Sequence, residues 1–259
     1  MLWPTPMIEA YGRTDVGRRR KINEDAFLVS PATSLYAGCD GMGGHNAGEV
    51  ASGLAMETLA GFIATSAAER DVTWPWGLDA NLSFDANRLK TAIRLANTRV
   101  YQAAEKREEL TGMGTTVVAA VVSGETLTIG SAGDSRCYLV RGGALMQLTR
   151  DDSWVSAALG EGILNSDDVE HHPLRNVITK AVGARESIDL DLIEHRFAPG
   201  DLVMLCSDGL HGMLNDHELA RLLLPAPGPL EESVGRLIDA ANEAGGRDNV
   251  TVVLLRYQA

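Results

Sequence analysis

The sequence predicts an α+β fold of antiparallel strands and long amphipathic helices. Seven short runs rich in β-branched and apolar residues are joined by turns such as "SGE" and "RGGA", a pattern of antiparallel sheet. Longer stretches with apolar residues at helical spacing interrupt groups of strands. They do not alternate with single strands, which argues against a doubly wound parallel sheet.

The first two strands cover 26–30 ("AFLVS") and 34–39 ("SLYAGC"). A helix follows from Ala47 to about Thr65, with Val50, Leu54, Leu59, Phe62 and Ile63 near one face. Residues 68–84, with Pro75 and two tryptophans, read as a long loop. A second helix spans about Asp85 to Glu108, where Leu89, Ala92, Ile93, Ala96, Val100 and Ala103 share a face. Four strands come next, at 115–122, 126–132, 137–140 and 202–207. "LLLPAPGPLEE" (222–232) reads as a proline-punctuated connection, 230–244 as a third helix and 250–255 as the last strand. Without internal repeats or a linker, residues 1–259 are expected to form one domain.

Composition narrows the function classes. Hydrophobic residues make up 45 % of 259, which suits a soluble globular chain, and no unbroken apolar stretch reaches the roughly 18 residues of a membrane span. The balance of 23 basic against 35 acidic residues, a net −12, argues against nucleic acid or anionic membrane as partner. "RRRK" at 18–21 reads as a solvated turn; no apolar segment follows it, so an export signal is not expected. A cytoplasmic monomer is the expectation. Cys39, Cys137 and Cys206 lie far apart in apolar runs and read as buried free thiols, not a zinc set or disulfide framework.

The stretch "CDGMGGHNAGE" (39–49) sets Asp40 before a glycine-rich turn and a helix. A dinucleotide fingerprint fails, because Asn46 stands where its third glycine belongs. A triphosphate loop also fails, because Glu49 and Val50 follow Gly48 in place of Lys and Ser/Thr. A hard metal ion fits better, taking the Asp40 carboxylate and the Gly41 carbonyl. Other aspartates recur at strand ends: Asp134 after "GSAG", Asp208 after "LCS" and Asp248 just before "NVTVVLL". Converging carboxylates would repel strongly unless cations sat among them, and an oxygen-only donor set points to Mg²⁺ or Mn²⁺. Two such ions suit in-line attack on phosphorus. In "RKINED" (20–25), Arg20 can fork onto a phosphoryl group, while Glu24 and Asp25 can support the metal shell.

Taken in order, "TDVGRRRKINEDAF", "CDGMGGHNAGEVAS", "GMGTTVVAA", "SAGDSRCYL", "LTRDDSWV", "HHPLRNVITKAVG", "GDLVMLCSDGL" and "GGRDNVTVVLL" resemble the metal-dependent type 2C Ser/Thr protein phosphatases in their compact bacterial form. The resemblance covers nearly the whole chain. It implies a four-layer αββα sandwich, two antiparallel sheets flanked by helices, with a dinuclear Mn²⁺ or Mg²⁺ centre in a cleft at one edge. By analogy Asp40 bridges both ions, the Gly41 carbonyl binds one, and Asp208 and Asp248 bind the other. Arg20 holds the phosphate, Glu24, Asp25 and Asn249 support the ligands, and Asp134 with Asp208 offers a third, weaker metal site. Residues about 150–185 correspond to a mobile flap, whose Ser153 approaches that third site.

The implied reaction is hydrolysis of phosphoserine or phosphothreonine in proteins by a metal-bridging hydroxide, in opposition to a Ser/Thr protein kinase. Two positions depart from the family's pattern. Met42 stands where many members carry a histidine proposed as general acid, and His45 is the candidate substitute. Asp152 stands in the flap where histidine is frequent. His171 and His172, before Pro173, read as exposed and not as metal ligands, and His195, His211 and His217 as isolated. A non-catalytic phosphoprotein-binding module of the same fold is the alternative, against which stands the presence of Arg20, Asp40, Asp208 and Asp248 together. An enzyme of small phosphate esters is a third reading, without a recognisable base-stacking pocket.

Overall fold

The computed structural model describes residues 7–44, 47–68, 73–165, 172–224 and 228–258. In chain order the strands are β1 (Met7–Asp15), β2 (Asp25–Ser30), β3 (Leu35–Met42), β4 (Gly114–Thr115), β5 (Val117–Ser123), β6 (Thr126–Ala132), β7 (Arg136–Arg141), β8 (Ala144–Gln147), β9 (Asp191–Arg196), β10 (Leu202–Cys206) and β11 (Val250–Gln258). The helices are α1 (Ala47–Ala68), α2 (Phe84–Lys106), α3 (Trp154–Gly160), α4 (Asp208–His211), α5 (Asp216–Leu223) and α6 (Leu230–Glu243).

The strands form two antiparallel sheets. One runs β1-β11-β10-β7-β8 and the other β2-β3-β5-β6-β9, with the two-residue β4 paired to β3. The period-2 alternation of each strand decides what lies on either side. In β5, Val118, Ala120 and Val122 join the layer between the sheets, whereas Val117, Ala119 and Val121 pack with α1 and α2. In β11, Val253, Leu255 and Tyr257 face the inter-sheet layer, while Val250, Val252 and Leu254 pack with α5 and α6. The result is helix, sheet, sheet, helix, as expected. Each fully buried side chain of the middle layer, such as Ile129 or Leu139, contributes about 1.5–3 kcal/mol relative to exposure.

Several elements differ from the sequence expectation. β1 pairs with β11 over its whole length, yet its "MIEAYGRTD" carries too many charges to read as a buried strand. β8 and β9 are edge strands whose side chains are mostly partly or fully exposed, so their apolar signal is faint. The supposed connection 222–232 is in part helical, since α5 ends at Leu223 and α6 starts at Leu230. The α5 start is set by a capping box in which Asn215 and Glu218 satisfy each other's backbone N–H groups.

Candidate metal centre and cleft

Antiparallel pairing brings the predicted aspartates to one end of the sandwich. β2 begins opposite the end of β3, which sets Asp25 across from Asp40. In the other sheet β10 ends at Cys206, opposite Val252. Asp208, opening α4, and Asp248, just before β11, therefore lie at a shared edge. Asp134 occupies the turn between β6 and β7, after Gly133 with φ +107°.

Hydroxyl side chains fix this edge. The Asp40 N–H donates to Thr116 Oγ1 at 2.9 Å, and its carbonyl accepts from Thr115 Oγ1 and the Thr116 N–H, each at 2.9 Å. Asp25 Oδ2 accepts from Ser207 Oγ at 2.8 Å and Thr251 Oγ1 at 2.6 Å, so one carboxylate joins the two sheets. Asn249 Nδ2 donates to the carbonyls of Val16 (3.0 Å) and Ile22 (2.9 Å), and its Oδ1 accepts from the Glu24 N–H at 2.8 Å. These bonds hold the turn that carries Arg20. The Arg20 guanidinium donates to Asp248 Oδ2 at 2.7 Å, at the edge of the acidic cluster.

Gly41 permits a close approach of backbone segments. A Cβ there would lie 2.1 Å from the Gly48 carbonyl oxygen and 2.6 Å from that of Glu24. No side chain fits, and the Gly41 N–H donates to the Glu24 carbonyl at 3.1 Å.

The convergence perturbs the carboxyls. Burial, followed by the nearby charges of Asp25, Asp208, Asp134 and Asp248, holds the Asp40 carboxyl well above the usual range. Burial pushes Asp25 up to about 7, against the pull of its two hydroxyl donors. Burial and then Asp208 push Asp134 up to about 7. Asp208 is raised by burial and then by Asp248, and Glu24 is raised chiefly by burial.

Whether a metal fits can be judged from the unused oxygens. Asp25 Oδ1, Asp134 Oδ1, Asp208 Oδ1 and Glu24 Oε1 are buried with no hydrogen-bond partner. Such orphaned acceptors are costly unless a proton or a cation meets them. An all-oxygen donor set on rigid strand ends fits Mn²⁺ or Mg²⁺. Among the described residues no group of three or more His, Cys, Asp or Glu side chains is drawn together closely enough to hold a metal ion; Arg20 meanwhile occupies one oxygen of Asp248.

The remaining candidates separate clearly. Ser153 is buried, caps α3 by accepting from the Ser156 N–H at 3.2 Å, and lines the same cleft as Asp134. His45 and His171 lie outside the described residues. His172 stacks on Trp154 with centroids 4.8 Å apart, and its Nδ1 accepts from the Leu174 N–H. Asp152 pairs with Lys180 at 2.7 Å and accepts from the Gly133 N–H at 3.2 Å, clasping the flap to the turn that carries Asp134.

His211 is a correction: it is not isolated. Its half-buried ring donates from Nε2 to the Asp134 carbonyl at 3.0 Å, and desolvation lowers its pKa to about 4, so it is neutral near pH 7. Also unread in the sequence were Thr115, Thr116, Ser207 and Thr251, and the Arg136 fork onto Asp151 at 2.9 and 2.7 Å. The "TT" and "CSD" spellings are the only local signals for the hydroxyls.

Asp134, Asp208 and Asp248 line one cleft of about 930 Å³, with Ser153 and Arg175 from the flap on its wall. Its size suits a peptide side chain with its neighbours.

Comparison with known proteins identifies the family of the chain. The family model described as Protein phosphatase 2C matches residues 16–254. The serine/threonine phosphatase stp of Listeria monocytogenes is 35 % identical over 250 residues, covering 94 % of this chain and 93 % of its own length. The serine/threonine protein phosphatase PstP of Mycobacterium tuberculosis is 37 % identical over 251 residues, covering 96 % of this chain and 45 % of its own. A crystal structure of the PstP catalytic domain in complex with two manganese ions superposes with a TM-score of 0.83 at 34 % identity, covering 98 % of this chain and 100 % of that one.

Proposed function

The chain belongs to the protein phosphatase 2C family and is a metal-dependent serine/threonine protein phosphatase, and we propose that it works through a dinuclear Mn²⁺ or Mg²⁺ centre built on Asp40. The observation that carries this reading is the set of partnerless buried carboxylate oxygens on Glu24, Asp25, Asp134 and Asp208, of which Asp134 and Asp208 line the cleft. Asp40, the Gly41 carbonyl, Asp208 and Asp248 would hold the two ions, and Asp134 with Asp208 would hold a third, weaker one on the side of the cleft that Ser153 lines. When bound, the ions supply an ionised water near neutral pH and neutralise charge on the phosphoryl oxygens.

The chain's own residues do the rest. Arg20 turns its planar fork from Asp248 to the phosphoryl oxygens, where it orients the group and offsets the charge that builds there. Asp25, pinned by Ser207 and Thr251, keeps the two sheets in register under the site. Glu24 and Asn249 hold the turn that delivers Arg20. Met42 has no proton to give, and His45 is our candidate for protonating the serine or threonine leaving oxygen, a role the resemblance to the family suggests. None of this requires a nucleophilic side chain.

The substrates are phosphoserine and phosphothreonine in proteins, set there by a Ser/Thr protein kinase that this enzyme opposes. We place the enzyme in the cytoplasm as a monomeric single domain, in keeping with three unpaired cysteines. Phosphate release from a phosphothreonine peptide with Mn²⁺, with Mg²⁺ and with EDTA tests the reading. Turnover that EDTA abolishes and either metal restores is expected; turnover indifferent to EDTA would overturn it.

A further inference from the structure

The cleft carries more charge than the metal centre needs. Its acids away from the centre are already engaged: Asp151 receives the Arg136 fork, Asp216 accepts from Tyr138 at 3.1 Å, and Glu218 closes the α5 capping box. Its cations are not all so engaged. Arg136 is bound to Asp151 and Tyr138, but Arg175 and Arg247, both exposed on the cleft wall, have no acidic partner among the described residues. They come from different places, Arg175 from the flap and Arg247 from the loop next to Asp248.

The basic run 18–21, whose Arg20 is paired with Asp248, lies beside the loop that carries Arg247. The N–H groups of Arg18 and Arg19 both donate to the Gly246 carbonyl, at 2.8 and 3.1 Å, which seats this turn against the residue before Arg247. In a chain with net charge −12, Arg175 and Arg247 thus stand on the cleft wall without an acidic partner among the described residues.

We propose that Arg175 and Arg247 form an anion subsite that reads a second negative group close to the scissile phosphate, either an acidic side chain or another phosphoryl group on the same substrate. This inference rests on the phosphatase reading above. The subsite acts on specificity: the two guanidiniums attract and orient flanking charge before the phosphate reaches Arg20. Because both are solvent-exposed, their effect is modest and falls as salt rises.

The test is kcat/KM, with saturating Mn²⁺ at low and high salt, on four phosphothreonine peptides. Their flanking residues are alanine, aspartate, a second phosphoserine, or lysine, sampled on both sides. For wild type, aspartate flanks are expected to raise kcat/KM about three- to tenfold over alanine, mainly through KM, and lysine flanks to lower it. A second phosphate, with nearly twice the charge, should gain more. Acceleration by phosphoserine alone would assign the subsite to phosphoryl groups, and acceleration by both to acidic side chains as well. In Arg175→Gln/Arg247→Gln the aspartate-to-alanine ratio should fall to near one, Arg175→Lys/Arg247→Lys should keep most of it, and Arg175→Glu/Arg247→Glu should favour lysine flanks. Equal wild-type rates on the alanine, aspartate and phosphoserine peptides, or a preference for either acidic flank that survives the double Gln variant, overturns the subsite and leaves the phosphatase standing. No turnover on any peptide overturns the phosphatase reading and this inference with it.

Discussion

Asn249 Oδ1 accepts a hydrogen bond from the backbone N–H of Glu24 at 2.8 Å, joining residues 225 apart in the sequence. The same side chain holds the carbonyls of Val16 and Ile22, so one amide sets the turn carrying Arg20 beside the strand that Asp248 precedes. Asn249→Ala leaves three partly buried backbone groups without this partner. A loss of about 1–3 kcal/mol of stability is expected, with kcat/KM down about 10–100-fold as Arg20 loses its position. Urea unfolding and peptide kinetics on the same variant check both.

The raised carboxyls predict an inverted pH dependence for protein kept free of metal by EDTA. Asp25 and Asp134, ordinarily near 3.8, are pushed to about 7 by burial. The folded chain then holds these protons more tightly than the unfolded chain does. Their contribution to stability is full below the unfolded pKa and is lost as pH rises through about 7. The urea midpoint in EDTA should therefore fall between about pH 5 and pH 8. Saturating Mn²⁺, which binds the ionised carboxylates, should remove or reverse that slope. A midpoint that rises with pH in EDTA would contradict the assignment.

Gly41→Ala places a methyl within van der Waals overlap of two backbone oxygens, one of them at 2.1 Å. Backbone cannot step aside as a flexible side chain can. A loss of about 1–3 kcal/mol or more is expected, together with weaker Mn²⁺ binding, seen as a lower melting temperature and a right-shifted metal titration.

The three thiols should be inert. Cys39, Cys137 and Cys206 are free and buried, and burial pushes the Cys206 thiol up to about 12 and the other two higher still. Thiolate is the reactive form, so native enzyme treated with iodoacetamide should keep its activity and take up label only after unfolding. Rapid inactivation at one labelled cysteine would count against a mechanism that uses no side-chain nucleophile.

Much of the site was legible because each candidate aspartate closes or opens an apolar run, and such runs reveal strand ends. The αββα order followed from a resemblance spread along the chain, and the register of β2 with β3 then delivered Asp25 opposite Asp40. What the sequence concealed was of two kinds. β1 and β9 are too charged to read as strands, since pairing in the sheet and not hydrophobicity defines them. Thr116, Ser207, Thr251 and His211 owe their roles to partners far along the chain, and no local spacing announces a hydroxyl or an imidazole that serves a distant backbone. Asp152, a departure from the family's pattern, makes sense only through Lys180 and Gly133.

The most direct test of the central claim is calorimetric Mn²⁺ titration of wild type and Asp40→Asn, with phosphate release measured on the same samples. Wild type should bind two ions per chain with high affinity, and any third weakly. Asp40→Asn, though folded, should lose the high-affinity pair and at least about a hundredfold of its turnover. If Asp40→Asn binds two ions as wild type does, or hydrolyses the peptide at the wild-type rate, Asp40 does not hold the centre and the account fails.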